Sequence, residues 1–291
     1  MPDAARTPVG FLLRRAQRVH ASLWHDQFDG GVTGPQYSCM LAISRWPESD
    51  QQTVGEIIGL DKATTGGIVD RLVQRGLVRR GADAADLRRR VLFLSDEGRA
   101  AMPDFAARGM AVHHKLVELL PAGAEAEFID LIVAVAYEPG HSPDVPALQD
   151  PGFPVMDLPT SVGHLLRRTH QRYQAQWNLT FRGRITIAQY AVLAAGCSLE
   201  SPDQQTVTER SGLDSSSAAA VVTRMETEGW LVRQPDARDK RRKVIAFTPP
   251  ARLAADWAGA GVHQVEDHIF GALGEQRRHR LEQLLTQLAD A

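Results

Sequence analysis

The chain has 291 residues, a length for about two domains; its 43% hydrophobic residues suffice for two ordinary cores, and 23% charged is typical of a soluble protein. The formal net charge of −2 does not by itself suggest nucleic acid. No apolar run approaches the ~20 residues of a membrane span, and the opening MPDAARTPVGFLLRRAQ lacks the apolar stretch of a secretory signal.

Residues 8–28 carry apolar side chains at helical spacing, with Leu12, Ala16, Val19 and Leu23 in one stripe and Val9, Leu13, His20 and Trp24 in the next. Gly30 and Gly31 end this helix. A second helix is predicted from about Pro35 to Trp46. A third opens at the capping box Thr53-Val-Gly-Glu56 and is stopped by Gly59; Asp61 caps a fourth, which ends at Gly76. Residues 77–80 and 91–94 pair as a hairpin whose polar tip is 81–90. Ser95 caps a long helix to about Leu120, and residues 125–137 form another. Residues 138–159 are rich in proline and read as an extended linker.

The same order then recurs. Val9-Gly10 matches Val162-Gly163, Gln36-Tyr37 matches Gln189-Tyr190, and Asp83-Ala84 matches Asp236-Ala237, always 153 residues apart (162 − 9, 189 − 36, 236 − 83). No gap is needed from 9 to 99, and about a third of the aligned positions are identical, so one domain has been duplicated. In the second copy Thr206-Val-Thr-Glu209 supplies the capping box, and Asp214 and Thr248 the later caps. Leu281, Leu284, Leu285 and Leu288 supply the last apolar face. The expected division is a first domain over 1–138, a linker over 139–160 and a second domain over 161–291. Cys39 and Cys197 are not repeat-equivalent and are expected as buried thiols in a reducing cytoplasm.

Basic residues cluster at one place in each copy: Arg79, Arg80, Arg88, Arg89 and Arg90, then Arg238, Lys240, Arg241, Arg242 and Lys243. Helix, tight turn, helix and basic hairpin is the order of a winged helix-turn-helix, whose second helix enters the major groove. The expected fold is mainly α with small β wings.

DQQTVGEIIGLDKATTGGIVDRLVQRGLVRR followed by DAADLRRRVLFLSDEGR, set among six helices, resembles the multiple-antibiotic-resistance regulator (MarR) family. The second copy is similar and has the fuller wing, DARDKRRKVIAFT. The resemblance covers nearly the whole chain except the linker. It implies two winged helix-turn-helix domains forming a single-chain pseudo-dimer with an interlocked helical dimerisation region. Linking the halves would replace bimolecular assembly by a high effective concentration.

The resemblance also implies double-stranded DNA as partner. It points to Thr53, Lys62, Thr64, Thr65, Arg71, Arg88, Arg89 and Arg90 in the first copy. In the second it points to Thr206, Ser215, Ser216, Ser217, Arg224, Arg238, Lys240, Arg241 and Arg242. The family's recognition-helix arginine is absent, being Gly67 in one copy and Ala220 in the other. Bidentate reading of guanine from that place is therefore unavailable. Either specificity moves to the wings and DNA shape, or operator recognition has been lost.

Aromatics recur every four residues on the leading helices: His20, Trp24 and Phe28 against Tyr173, Trp177 and Phe181. Packing alone explains such a stripe, but polar tips on an aromatic surface also suit a planar ligand. By resemblance, Tyr37, Tyr190, His113 and His114 join a small-molecule effector site in each copy, with an aromatic acid or phenol as ligand.

No catalytic residue, cofactor or metal is expected. The adjacent His113 and His114, and the five-apart His263 and His268, lack zinc-motif spacing, and the leading helix has no sensor cysteine. The sequence thus points to a cytoplasmic, monomeric, ligand-released repressor that is not membrane-bound. The alternative is a ligand-binding or protein-interaction module that keeps the fold without operator recognition.

Overall fold

The computed structural model describes residues 8–83, 90–137, 150–236 and 243–290. In the first copy the elements are α1 (Val9–Phe28), α2 (Gly34–Arg45), α3 (Gln51–Ile58), α4 (Lys62–Gln74), β1 (Val78–Ala82), β2 (Arg90–Leu94), α5 (Asp96–Val117) and α6 (Glu125–Ala136). The second copy repeats them as α7 (Val162–Phe181), α8 (Ile187–Gly196), α9 (Gln204–Ser211), α10 (Ser215–Thr227), β3 (Leu231–Pro235), β4 (Lys243–Phe247), α11 (Pro249–Phe270) and α12 (Gly274–Ala289). Each hairpin is a two-stranded antiparallel sheet, with Val78 opposite Leu94 and Leu231 opposite Phe247. Among the described residues no helix is long and apolar enough to cross a membrane.

The caps explain most boundaries and correct two expectations. α3 begins at Asp50, not at Thr53: the Asp50 carboxylate accepts from the Thr53 N–H at 2.8 Å and from its hydroxyl at 2.9 Å. Asp203 does the same for Thr206, at 2.8 and 2.7 Å. Asp and Thr three apart are overlapping cap signals, and the carboxylate prevails because it also meets the positive end of the helix dipole. Reciprocal capping boxes occur instead at Thr33/Gln36 and Thr186/Gln189. Thr248 occupies a cap position, but its hydroxyl donates to the carbonyls of Gly229 and Trp230, at 3.0 and 3.1 Å, instead of accepting from the helix. Pro249 and Pro250 have already removed two of the N–H groups a cap would serve.

Gly59 ends α3 in the left-handed region (φ 69°), where a side chain would be strained. The proline-rich stretch is not wholly extended: Leu158–Thr160 makes one 3-10 turn that buries Leu158, while residues 138–149 lie outside the described residues.

Two compact units form, one within Met1–Arg15 and His170–Glu282, the other within Ala16–Thr169 and Gln283–Ala291. Each therefore holds the winged region of one copy together with the first turns of the other copy's leading helix. The unit of the first copy packs Met40, Ile43, Ile58, Val69, Leu72, Leu92 and Met102 into its core. The unit of the second copy buries Leu13, Tyr173, Trp177, Phe181, Leu193, Met225 and Phe270. Leu281, Leu284, Leu285 and Leu288 are all buried, as their spacing predicts.

Candidate effector cavity and nucleic-acid surface

The unit of the first copy contains a cavity of about 380 Å³, large enough for a single aromatic ring with substituents. Its wall is built from the later turns of α1. Trp24 and Phe28 stack with centroids 4.4 Å apart and planes within 4°; Tyr37 of α2 lies 5.5 Å from Trp24, and His20 5.8 Å. The Trp24 indole N–H donates to the Val32 carbonyl at 2.7 Å, which fixes the ring. Two glycines make room. A Cβ on Gly109 of α5 would stand 3.2 Å from the Tyr37 ring, and one on Gly163 of α7 would fall 2.1 Å from the His20 ring. Met156, Leu158 and Ser161, which precede α7, close another side.

The polar groups at the cavity are unusual. Arg167 donates Nη2 to the Ile58 carbonyl at 3.0 Å and lies 3.0 Å from His164 Nδ1. Its Nε has no partner, and among the described residues no carboxylate pairs with it. Burial lowers its pKa to about 10, with Arg168 adding to the shift, so it stays cationic at neutral pH. His20 is lowered to about 4 by burial first, then by Arg167 and His113. His164 is held well below the usual histidine range by the same burial and by Arg167 and Arg168. His113 places Nε2 2.9 Å from Glu125 Oε1 and leaves Nδ1 without a partner. His20 and Arg167 are half-buried, and both line the cavity.

Five of the expected ligand residues thus meet at one site: His20, Trp24, Phe28, Tyr37 and His113. His114 is exposed and does not line it. The second-copy set meets too, with Tyr173, Trp177 and Phe181 buried and Tyr190 half-buried: Trp177 lies 4.2 Å from Phe181, 5.7 Å from Tyr190 and 6.2 Å from Tyr173. Sequence reasoning missed Arg167 and His164. The available signal was an Arg-Arg pair repeated at 14–15 and 167–168 on an otherwise apolar helical stripe. Among the described residues no group of three His, Cys, Asp or Glu side chains is placed to hold a metal.

On the winged regions, α4 presents Lys62, Thr64 and Arg71 to solvent, and α10 presents Ser215, Ser216 and Arg224, with Ser217 half-buried. Asp61 accepts from the Thr64 N–H at 2.9 Å and Asp214 from the Ser217 N–H at 2.8 Å, which fixes both helix starts. Thr65 points the other way. It is 1% exposed, against Gly55, and its hydroxyl reaches the Leu60 carbonyl at 3.4 Å, so it supports the turn between α3 and α4. Thr53 and Thr206 spend their hydroxyls on Asp50 and Asp203. A Cβ on Gly66 would come 3.1 Å from the Gln51 amide, so close helix approach accounts for one of the two glycines inside α4. Arg90 is exposed at the start of β2; Arg88, Arg89, Arg238, Lys240, Arg241 and Arg242 lie outside the described residues.

The architecture is that of duplicated winged helix-turn-helix regulators, and a MarR family model matches residues 30–89 and 185–242, one stretch in each copy. The chain belongs to the MarR family. It is 33% identical over 129 residues to the transcriptional regulator HosA of Escherichia coli O127:H6, covering 95% of that protein with 44% of its own length. It is 33% identical over 95 residues to the repressor NicR of Pseudomonas putida, with 32% of this chain matched to 60% of that one. Among solved structures, the PcaV regulator of Streptomyces coelicolor with its natural ligand is 37% identical. That match covers 46% of this chain and 97% of that chain, with a TM-score of 0.43. The HosA match, 129 residues long, is about the length of one copy of the duplicated domain.

Proposed function

We propose that the chain is a DNA-binding transcription regulator, a repressor, released from its operator when a small aromatic carboxylate enters the cavity of the first copy. The observation that carries this reading is Arg167, a half-buried guanidinium with a buried, unpartnered Nε and no acidic partner among the described residues, beside an aromatic wall. A buried cation without a counter-ion is costly. A planar anion would supply the charge while its ring stacks on Trp24. Family membership and the exposed faces of α4 and α10 support the DNA-binding half of the proposal, with Lys62, Thr64, Arg71, Arg90, Ser215, Ser216 and Arg224 as its described contacts. One cytoplasmic chain would supply both winged regions and act as a monomer.

A second reading keeps the cavity and drops operator recognition, because Gly67 and Ala220 leave both recognition helices without the family's arginine. Footprinting of the DNA upstream of the chain's own gene separates the two. The regulator reading expects a protected site spanning two adjacent major grooves at a stoichiometry of one chain. Uniform, salt-labile binding without a protected site would favour the second.

A further inference from the structure

The 153-residue offset locates the second copy's counterpart of the cavity, and its residues are different. His20 is matched by Tyr173, Gly109 by Val262, His164 by Phe11 and His113 by Glu266. The first three exchanges fill space. Tyr173 is 0% exposed where His20 is half-buried; the close approach to a glycine, Gly10 here and Gly163 there, is shared by both copies, and the larger ring is what differs. Val262 is buried where Gly109 left room, and Phe11 is buried with its ring 6.0 Å from Tyr190. Trp177 keeps the indole bond of its counterpart, to the Ile185 carbonyl at 2.9 Å, yet is only 2% exposed.

The fourth exchange alters charge. Glu266 is buried, accepting from the Val9 N–H at 2.7 Å and from Arg278 at 2.6 Å, so a fixed carboxylate stands where the first copy has an imidazole. Arg14 repeats the role of Arg167 towards the backbone, donating to the Ser211 carbonyl at 3.0 Å. The guanidinium position is therefore kept, while the space before it is not. The Tyr173 hydroxyl has no hydrogen-bond partner among the described residues, so what sets it there is ring packing.

We infer that the second copy's effector site is closed by its own side chains, with Tyr173 as the plug, so that the chain takes one effector and senses it through the first copy alone. This rests on reading the first-copy cavity as the effector site. Tyr173 contributes the aromatic ring that a ligand would otherwise bring, and the Glu266 carboxylate, held by Arg278 and the Val9 N–H, occupies the place of the first copy's imidazole. Duplication has thereby given one sensing copy and one copy held in a single filled state.

The test uses xenon, a probe that enters apolar cavities whatever the effector is. The full chain is labelled with 5-fluorotryptophan, and the Trp24 and Trp177 resonances are assigned with Trp24→Phe and Trp177→Phe. Under xenon pressure the Trp24 fluorine should shift and the Trp177 fluorine should not. In Tyr173→Ala, or in the milder Tyr173→His that restores the first-copy residue, the Trp177 fluorine should begin to shift. Equal shifts at Trp24 and Trp177 in the unsubstituted chain would overturn the plug while leaving the first cavity standing. A silent Trp24 would overturn the cavity itself, and the inference with it.

Discussion

Arg75 donates Nη1 to the carbonyl of Gly31 at 2.8 Å, tying the end of the first recognition helix to the turn that borders the cavity. The next residue, Val32, accepts the Trp24 indole N–H. A ligand that displaces Trp24 would therefore act on the turn that holds Arg75. In the second copy the equivalent residue is Glu228, bonded to Gln189 and Arg224 at 2.9 and 2.8 Å, so the link is not repeated. Replacing Arg75 by Ala should leave DNA affinity without effector and effector affinity without DNA within a few-fold. The linkage between them should shrink by about 1 kcal/mol or more. Unchanged linkage in a thermodynamic cycle would remove Arg75 from the relay.

Arg167→Met removes a half-buried cation with no acidic partner among the described residues, so its stability should be equal to or above that of the parent. Its affinity for aromatic carboxylates should fall by about tenfold or more, since hydrogen bonds to charged groups are worth ~1.5–3 kcal/mol. Denaturant titration and calorimetry check the two halves. A strongly destabilised variant would mean that the guanidinium holds the fold rather than a ligand.

Stability should decline on acidification through a definite window. His20 and His170 are lowered to about 4, both mainly by burial, and His164 lies well below 6.5. As pH falls below about 6.5 the unfolded chain takes up protons that the folded chain refuses, so stability is full above that pH and is lost towards pH 4. His20→Gln should flatten the dependence by up to about 1.4 kcal/mol per pH unit within that window. An identical slope in the variant would show that His20 titrates normally.

Much of the fold was legible because it rests on local signals: Asp61 and Asp214 as caps, Gly59 and Gly76 as stops, and two hairpins in matched register. The start of α3 lies at Asp50, three residues before the expected Thr53, because a carboxylate at that place meets the positive end of the helix. The aromatic half of the cavity was readable from the spacing of His20, Trp24 and Phe28. Of its polar groups, His20 and His113 were readable too, but Arg167 and His164 were not, because they reach the cavity from a helix of the other copy and no periodicity reports that meeting. Nor could spacing tell a lining stripe from a packed one. Trp24 and Trp177 occupy the same repeat position, and what separates them is the bulk at Tyr173 and Val262.

The wings should share DNA binding unequally. The second recognition helix exposes serines, Ala220 and an Arg224 already engaged with Glu228 at 2.8 Å, whereas the first exposes Lys62 and Arg71. Arg241→Ala should therefore weaken binding more than Arg88→Ala, each by roughly 1–3 kcal/mol if its guanidinium reaches a groove. An arginine that meets only phosphate should instead flatten the log–log salt dependence by about 0.9. Negligible losses in both variants on a tightly bound operator would take the wings out of the mechanism.

The most direct measurement follows the affinity of the purified chain for its upstream DNA by fluorescence anisotropy, at fixed salt, across a panel of small aromatic carboxylates. At least one compound should weaken binding about tenfold or more at a stoichiometry of one per chain, and should lose that effect in Arg167→Met while the variant still binds DNA. A compound seated beside Trp24 that leaves DNA affinity unchanged, or that acts equally on Arg167→Met, would contradict the account.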